Sequence, residues 1–427
     1  MKVVFFKENI SFVKEFIDKN DDCVAFWYAP GLKSYKYLET IITLSSLYIE
    51  ESLFEDFSHH YPEFVSTIPY ELFSSAKLPL DNPKPISFLA SNDTISKSFK
   101  SIIDELKNTS FKLFCKPKEN AKKAADELNI PAEVIHLNIP NVNEYSLLVL
   151  GNDWGITERI IGDDFLKKGK NVVCIQESSI DFRPEDGRMR FCSFPIFQGV
   201  ATLQNLDINK MICAVIGNPR FEKLKPFPLP KNNRAFVNVN FTYGIFEHVR
   251  TEWANDILTT CSSLGIDYII SQHPRDSGDF TGFNVLKSNP LIVHQTVIEC
   301  SVLISRFSAL LTEAICLGRP VIYYNPHHEN MHYKFESDNK MFFYATNKEE
   351  LSAALKATIQ INAKGANTDV EFIAKHLGVT NTGEASDYIK LALEDISKYP
   401  PVKTAKKLTK IKLYFLLAKR IIRKQPY

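Results

Sequence analysis

Short runs of β-branched and aromatic residues alternate along this chain with amphipathic stretches of helical length, and nothing else constrains its fold as strongly. In the first half, residues 3–6, 23–28, 86–89, 112–115, 146–150 and 172–176 read as strands, with helical segments such as 96–106 and 121–128 between them. Parallel strands need crossovers of about a dozen residues, which helices supply, so this spacing predicts βαβ units on a parallel sheet. A second series follows at 235–240, 267–271, 291–294, 302–305 and 321–324. Between the two lies KLKPFPLPKNN, in which Pro226, Pro228 and Pro230 cannot donate to a ladder, so it reads as a stiff, extended linker. The expectation is an α/β chain with Rossmann-like doubly wound domains at residues 1–225 and 226–395, then a tail at 396–427.

Length agrees, since 427 residues exceed what one ordinary core encloses. A hydrophobic share of 44% excludes a disordered chain, and no apolar run approaches the roughly 20 residues that span a bilayer. The start, MKVVFFKENISF, carries charge and Asn where a signal peptide needs an apolar stretch, so none is expected. Eight scattered cysteines without a CxxC pair, several in apolar runs such as VVCIQ, suit reduced core thiols and a cytoplasmic setting. The net charge of +1 hides an asymmetry. Residues 402–427 hold nine Lys/Arg and no carboxylate, so removing them leaves the body at −8. An acidic body argues against a nucleic-acid groove.

Two facing doubly wound domains place a cleft at the carboxyl ends of both sheets, the layout of GT-B glycosyltransferases by fold analogy. The richest segment is CSVLISRFSALLTEAICLGRPVIYYNP, residues 300–326. A strand ends at Ser305, and a helix expected from about Ser308 would offer free amides and a positive dipole end to an anion. Glu313, about one and a half turns on, is placed to take ribose hydroxyls. The alternative is an ordinary αβ unit with a serine cap. In YIISQHPRD, His273-Pro274-Arg275 follows a strand. His273, protonated or as a neutral hydrogen-bond donor, would meet a phosphate oxygen of a departing nucleotide, and Arg275 would clamp it. A lone loop His-Pro carries no such meaning.

Taken together, an HP element and, about thirty residues later, a strand–Ser–helix element resemble bacterial transferases that use CMP-activated nonulosonates, although the serines here are split as Ser305 and Ser308. Over residues 1–400 the chain resembles the retaining β-Kdo transferase module of WbbB-type O-antigen chain-terminating enzymes. The resemblance implies a GT-B glycosyltransferase moving Kdo from CMP-β-Kdo to a glycan acceptor, ending a lipid-linked O-antigen chain. No cofactor and no metal are expected, since the donor carries one phosphate. The donor would be held by His273, Pro274, Arg275, Ser305, Ser308 and Glu313. Retention implies two displacements through a carboxylate adduct. Glu158, after a strand and the turn GNDWG, is the acid/base candidate, against ordinary helix-dipole complementation. Where the family would supply an aspartate nucleophile the chain has Lys231-Asn232-Asn233. Asn232 is therefore read as an Asp→Asn variant of the nucleophile, against a linker Asn chosen for its turn propensity. The rivals are another CMP/CDP-dependent GT-B transferase, for sialic acid or polyol phosphate, and a catalytically silent glycan-binding module.

His328-Glu329-Asn330-Met331-His332 matches HExxH, but no long amphipathic helix surrounds it, so it is read as a loop and not as a zinc site. Arg250 is placed to line the donor pocket and Trp253 to pack in a core, while Gln176-Glu177 ends a strand where an acceptor would sit. In the tail, Leu408, Ile411, Tyr414, Phe415, Ala418, Ile421 and Ile422 form one apolar stripe among the basic residues. That suits peripheral contact with an anionic inner-membrane leaflet, or a linker helix packed on a neighbouring domain.

Overall fold

The computed structural model describes residues 1–75, 84–117, 120–178, 189, 191–242, 244–281, 283, 285–289, 292–330, 333, 335, 340–364, 370–378, 384–401 and 418, without the side chains of 362–364 and 370. The chain forms two compact units, Met1–Glu222 with Ala374–Tyr427, and Lys223–Ile373.

The first unit holds strands β1 (Lys2–Phe6), β2 (Cys23–Trp27), β3 (Ser46–Glu50), β4 (Tyr70–Phe73), β5 (Ile86–Ala90), β6 (Phe111–Cys115), β7 (Ala132–Val134), β8 (Leu147–Leu150), β9 (Asn171–Ile175), β10 (Phe194–Phe197) and β11 (Met211–Val215). They make one sheet in the order β4-β3-β1-β2-β11-β10-β9-β8-β5-β6-β7, and every pair is parallel. Strands such as Val3–Phe6 within β1 and the whole of β2 and β9 are buried on both faces, as a sheet covered by helices on both sides requires.

Two windings share this sheet. The run β7-β6-β5-β8-β9-β10-β11 follows the 3-2-1-4-5-6 Rossmann order with one strand added, and β4-β3-β1-β2 is a smaller winding joined through the β2–β11 pair. The smaller winding has its reversal point between β1 and β3. There the buried Glu50 accepts backbone N–H bonds at Oε2 from Lys7 (2.8 Å), Glu8 (3.0 Å) and Asn9 (3.2 Å). The amides that would cradle an anion in that crevice are already engaged by the protein's own carboxylate.

The C-terminal residues return to this unit. Gln198 Nε2 donates to the carbonyl of His376 (3.0 Å), Trp27 Nε1 donates to Asp395 (3.2 Å), and Asn171 Nδ2 donates to the carbonyls of Ile396 (3.1 Å) and Tyr399 (2.7 Å). Residues 374–395, expected in the second domain, thus belong to the first unit, which also closes at Glu222 and not at 225. An amphipathic pattern such as that of Ala385–Ile396 announces a buried face, but not which sheet it covers. The docking is close. Gly378 has φ +65, and a Cβ there would lie 2.3 Å from the Gln198 carbonyl. Gly378→Ala is expected to lower stability by about 2–4 kcal/mol, from left-handed strain plus a backbone clash, read as a shift in the urea midpoint. An unchanged midpoint would show that this contact is dispensable.

The second unit holds β12 (Arg234–Val239), β13 (Asp267–Gln272), β14 (Val285–Lys287), β15 (Val302–Ser305), β16 (Val321–Tyr324) and β17 (Phe342–Ala345). Their order, β14-β13-β12-β15-β16-β17, is the six-stranded Rossmann order, again with all pairs parallel. Its core gathers Val237, Val239, Ile304 and Ile322 from the sheet with Trp253, Ile257 and Leu355 from the covering helices. Of the strand expected at 291–294, the described residues 292–294 are not strand, because Val293–Ile298 is helical, and the third strand of this unit is β14. A short apolar run fits either element, and here the Asn289 carbonyl accepts from the amides of Ile292 and Val293 to open a turn.

Among the described residues no helix is long and apolar enough to cross a membrane. All eight cysteines are buried free thiols, as the apolar runs around several of them suggest. The apolar stripe expected in the tail, 408–422, lies outside the described residues apart from Ala418, while residues 396–401 of the expected tail pack with the first unit.

Candidate functional site

In the second unit the strand order reverses between β12 and β15, and the loops leaving their carboxyl ends flank the crevice where such sheets take ligands. Side chains tie these loops together. Asn238 Nδ2 donates to Ser305 Oγ (2.9 Å), and Asn240 Nδ2 donates to the Phe307 carbonyl (2.6 Å). On the other side of β12, the His273 amide donates to the Val239 carbonyl (2.8 Å). His273 and Ser305 therefore stand on either side of the end of β12, about 10 Å apart by strand spacing.

His273 Nδ1 accepts the backbone N–H of Arg275 (3.1 Å), so the ring hydrogen resides on Nε2. Burial lowers the imidazole pKa, the Arg275 charge lowers it further, and Asp276 opposes both. Of the two forms considered from sequence, the structure selects the neutral ring donating from Nε2. Pro274 and Arg275 are exposed on the same turn.

The turn rests on Asp276, which sequence reading passed over although it ends the HPRD string. Its buried carboxylate accepts from the amides of Phe241 (2.7 Å) and Gly278 (2.9 Å) and pairs with Arg250 Nε (3.0 Å). Arg250 is thus not simply a pocket liner, because it braces the two loops from beneath. Trp253 packs in the core as expected, its Nε1 donating to the Tyr324 carbonyl (2.9 Å).

Arg306 was also missed. It is buried, with its guanidinium over the rings of Phe241 (4.9 Å) and Phe246 (5.7 Å), and it donates to the Asn240 carbonyl (3.3 Å) and to both oxygens of Glu329. Glu329, the general base of an HExxH reading, is therefore held in an ion pair. Residues 325–330 form turn and loop and not a helix, while Met331 and His332 lie outside the described residues.

Two expectations for the serine element change. Ser305 is fully buried and tied to Asn238, so it fastens the loop. The helix is Leu310–Cys316, beginning two residues later than expected and only seven residues long. Ser308 Oγ does accept the Leu310 amide (3.2 Å), but two turns sum too few peptide dipoles to make this N-terminus an anion site by itself. Glu313, on the same helix, is buried, and its Oε2 lies 2.7 Å from Nε2 of His294 on the helix Val293–Ile298.

Asn232 lies elsewhere. It is exposed in the bend before β12, at the amino end of that strand, whereas His273 and Ser305 follow carboxyl ends. Six residues of strand separate the two ends by about 20 Å, so the second unit does not bring Asn232 to its crevice.

In the first unit, the larger winding reverses between β5 and β8. The loops there carry Ser91, which receives a hydrogen bond from Asn152 (3.0 Å), and Asp153, which accepts from the amides of Met189 (2.6 Å) and Phe191 (2.7 Å). Burial raises the pKa of Asp153 against those bonds. Glu158 is in the first turn of the helix Ile156–Lys167, as expected, but it is buried, and its Oε1 pairs with Lys116 Nζ (3.2 Å). A Cβ on Gly155 would lie 1.9 Å from Glu158 Oε2, so only glycine lets the carboxylate fold back there. Gln176, expected near an acceptor, is internal and accepts from the Gln198 amide and Thr202 Oγ1 (both 3.1 Å).

No protein-family model and no curated protein matches the sequence. Solved structures do match. A candidate UDP-N-acetylglucosamine 2-epimerase from Listeria monocytogenes aligns at TM-score 0.51 and 11% identity, over 72% of this chain and 95% of that one. The UDP-GlcNAc 2-epimerase of Neisseria meningitidis, solved with UDP-GlcNAc, gives 0.51 and 13% over 73% and 99%. The wall teichoic acid polymerase TagF gives 0.50 and 16% over 74% and 90%. The chain has a GT-B-type fold, built from two Rossmann-like units. At these identities the likeness concerns fold alone, so substrate must be argued from the site.

Proposed function

We propose that this GT-B chain is a glycosyltransferase that takes a CMP-activated sugar, CMP-β-Kdo, at the β12/β15 crevice of its second unit and transfers Kdo to a glycan acceptor. The observation that carries the reading is the His273 turn. A neutral imidazole, fixed through Nδ1, presents Nε2–H beside the strand-order reversal. There it would donate to a phosphate oxygen as negative charge builds on departing CMP. Arg275, on the same turn, would add a cation for that charge, and across the reversal Ser308, before the helix Leu310–Cys316, and Glu313, on it, would meet phosphate and ribose. The sugar and its retention of configuration come from the resemblance. Glu158 remains the acid/base candidate, with Lys116 as its partner. The acceptor we propose is a lipid-linked O-antigen, met at the membrane surface with the help of the basic tail. No metal is required, since one phosphate leaves no pyrophosphate to bridge.

Titration calorimetry with CMP tests the donor class. His273→Ala should weaken CMP by about 1.5–3 kcal/mol, the worth of a hydrogen bond to a charged group. Asn232→Asp should bind CMP as the parent does, because it changes the far end of β12. Unchanged affinity on His273→Ala would remove the HP turn from the donor site, and a preference for UDP over CMP would move the chain to uridine-nucleotide chemistry. Incubation with CMP-Kdo and an O-antigen acceptor should transfer Kdo to the acceptor, and Glu158→Gln should suppress the transfer.

A further inference from the structure

We propose that His294 is a positioning residue for ribose recognition, holding the Glu313 carboxylate in the orientation that accepts a nucleotide's ribose hydroxyls. This deepens the donor-site reading above and rests on it. Glu313 is buried on the helix that follows β15, the strand at the order reversal, while the His294 side chain is 40% exposed on the preceding helix. The two meet at 2.7 Å through Nε2 and Oε2. With the Glu313 carboxylate as acceptor, Nε2 carries the hydrogen and His294 donates. A glutamate has three side-chain torsions, and a charge-assisted bond at one oxygen removes much of that freedom before any ligand arrives. The second oxygen is then fixed in place. A pair of vicinal hydroxyls binds best to an acceptor that does not have to be ordered on binding. The His294 side chain is 40% exposed, so its removal disturbs the surrounding core less than loss of a fully buried ring would.

The test crosses protein variants with ligand variants in calorimetry on the full chain. CMP is compared with its 2′,3′-dideoxy analogue, which keeps base and phosphate but offers no hydroxyl to Glu313. His294→Ala should weaken CMP roughly 5- to 10-fold, the range of one oriented hydrogen bond, and leave the dideoxy compound within about twofold. His294→Gln, whose amide can donate to the same oxygen, should recover most of the CMP loss. An equal loss for both ligands, no loss for either, or no recovery with Gln would overturn the role of His294 while leaving the donor site standing. A parent protein that fails to bind CMP would overturn the donor reading and this inference with it.

Discussion

Replacing Arg319 with Met is expected to destabilise the second unit by about 3–5 kcal/mol, an effect larger than that of any single contact at the crevice. Arg319 is fully buried in the turn between the helix Leu310–Cys316 and β16, and burial lowers its pKa. Its Nη1 donates to the carbonyls of Phe227 (2.9 Å), Gly318 (3.2 Å) and Leu317 (3.3 Å), and Nη2 to those of Ile298 (2.6 Å) and Pro228 (2.8 Å). One guanidinium thus straps the proline-rich segment to the turns around β15 and β16. Met fills a similar volume but removes all five donations. The Leu317 carbonyl keeps the Phe227 amide (3.2 Å), but the others lose the guanidinium, and desolvated carbonyls are costly to leave unpaired. Lys keeps the charge on a single nitrogen that cannot span both sides of the strap, so Arg319→Lys should fall between the two. Urea melts followed by circular dichroism measure both. A Met variant within 1 kcal/mol of the parent would mean that the strap is not what holds this segment.

Acid should loosen the first unit through His376, the second large effect. Burial pushes its imidazole down to about 3, and the neighbouring Lys375 charge acts in the same direction. In the unfolded chain the group titrates near 6.5. The fold accepts only the neutral ring, so the stabilisation is complete above about pH 6.5 and is lost progressively as pH falls from there towards 3. A shift of one unit corresponds to about 1.4 kcal/mol, so the loss at pH 5 is about 2 kcal/mol relative to pH 7.5. The backbone carbonyl of His376 accepts from Gln198, and a Cβ on Gly199 would lie 2.3 Å from the carbonyl of Lys375. Charging the ring therefore strains the place where the C-terminal residues dock. Stability measured against pH for the parent and for His376→Gln isolates the term, because all other carboxylates and histidines are common to both. Parallel curves would show that His376 charges without cost.

The two kinds of unit could be read along the chain because periodicity is local. Strands at 86–89, 112–115, 172–176, 235–240 and 302–305 announce themselves by short runs of apolar residues bounded by turn residues. Their spacing by helices leaves a parallel sheet as the consistent solution. The placement of His273 just after β13 and of Glu313 on the helix after β15 was legible for the same reason, each following a strand at a fixed short distance. The tertiary structure alone decided what those residues touch. Nothing in the string joins Asp276 to Phe241 and Arg250, or Arg306 to Glu329, because these contacts form only when non-adjacent crossovers bring their loops to one end of the sheet. The return of 374–399 to the first unit depends on Trp27 and Asn171, more than two hundred residues away. The parallel β12–β13 pairing puts Asn232 and His273 at opposite ends of β12, since a linker residue before a strand and a loop residue after its parallel neighbour lie at opposite ends of the strands. Sequence determines which face of an element is buried. Which partner covers it, and at which end of the sheet a side chain emerges, is set by the winding of the whole chain.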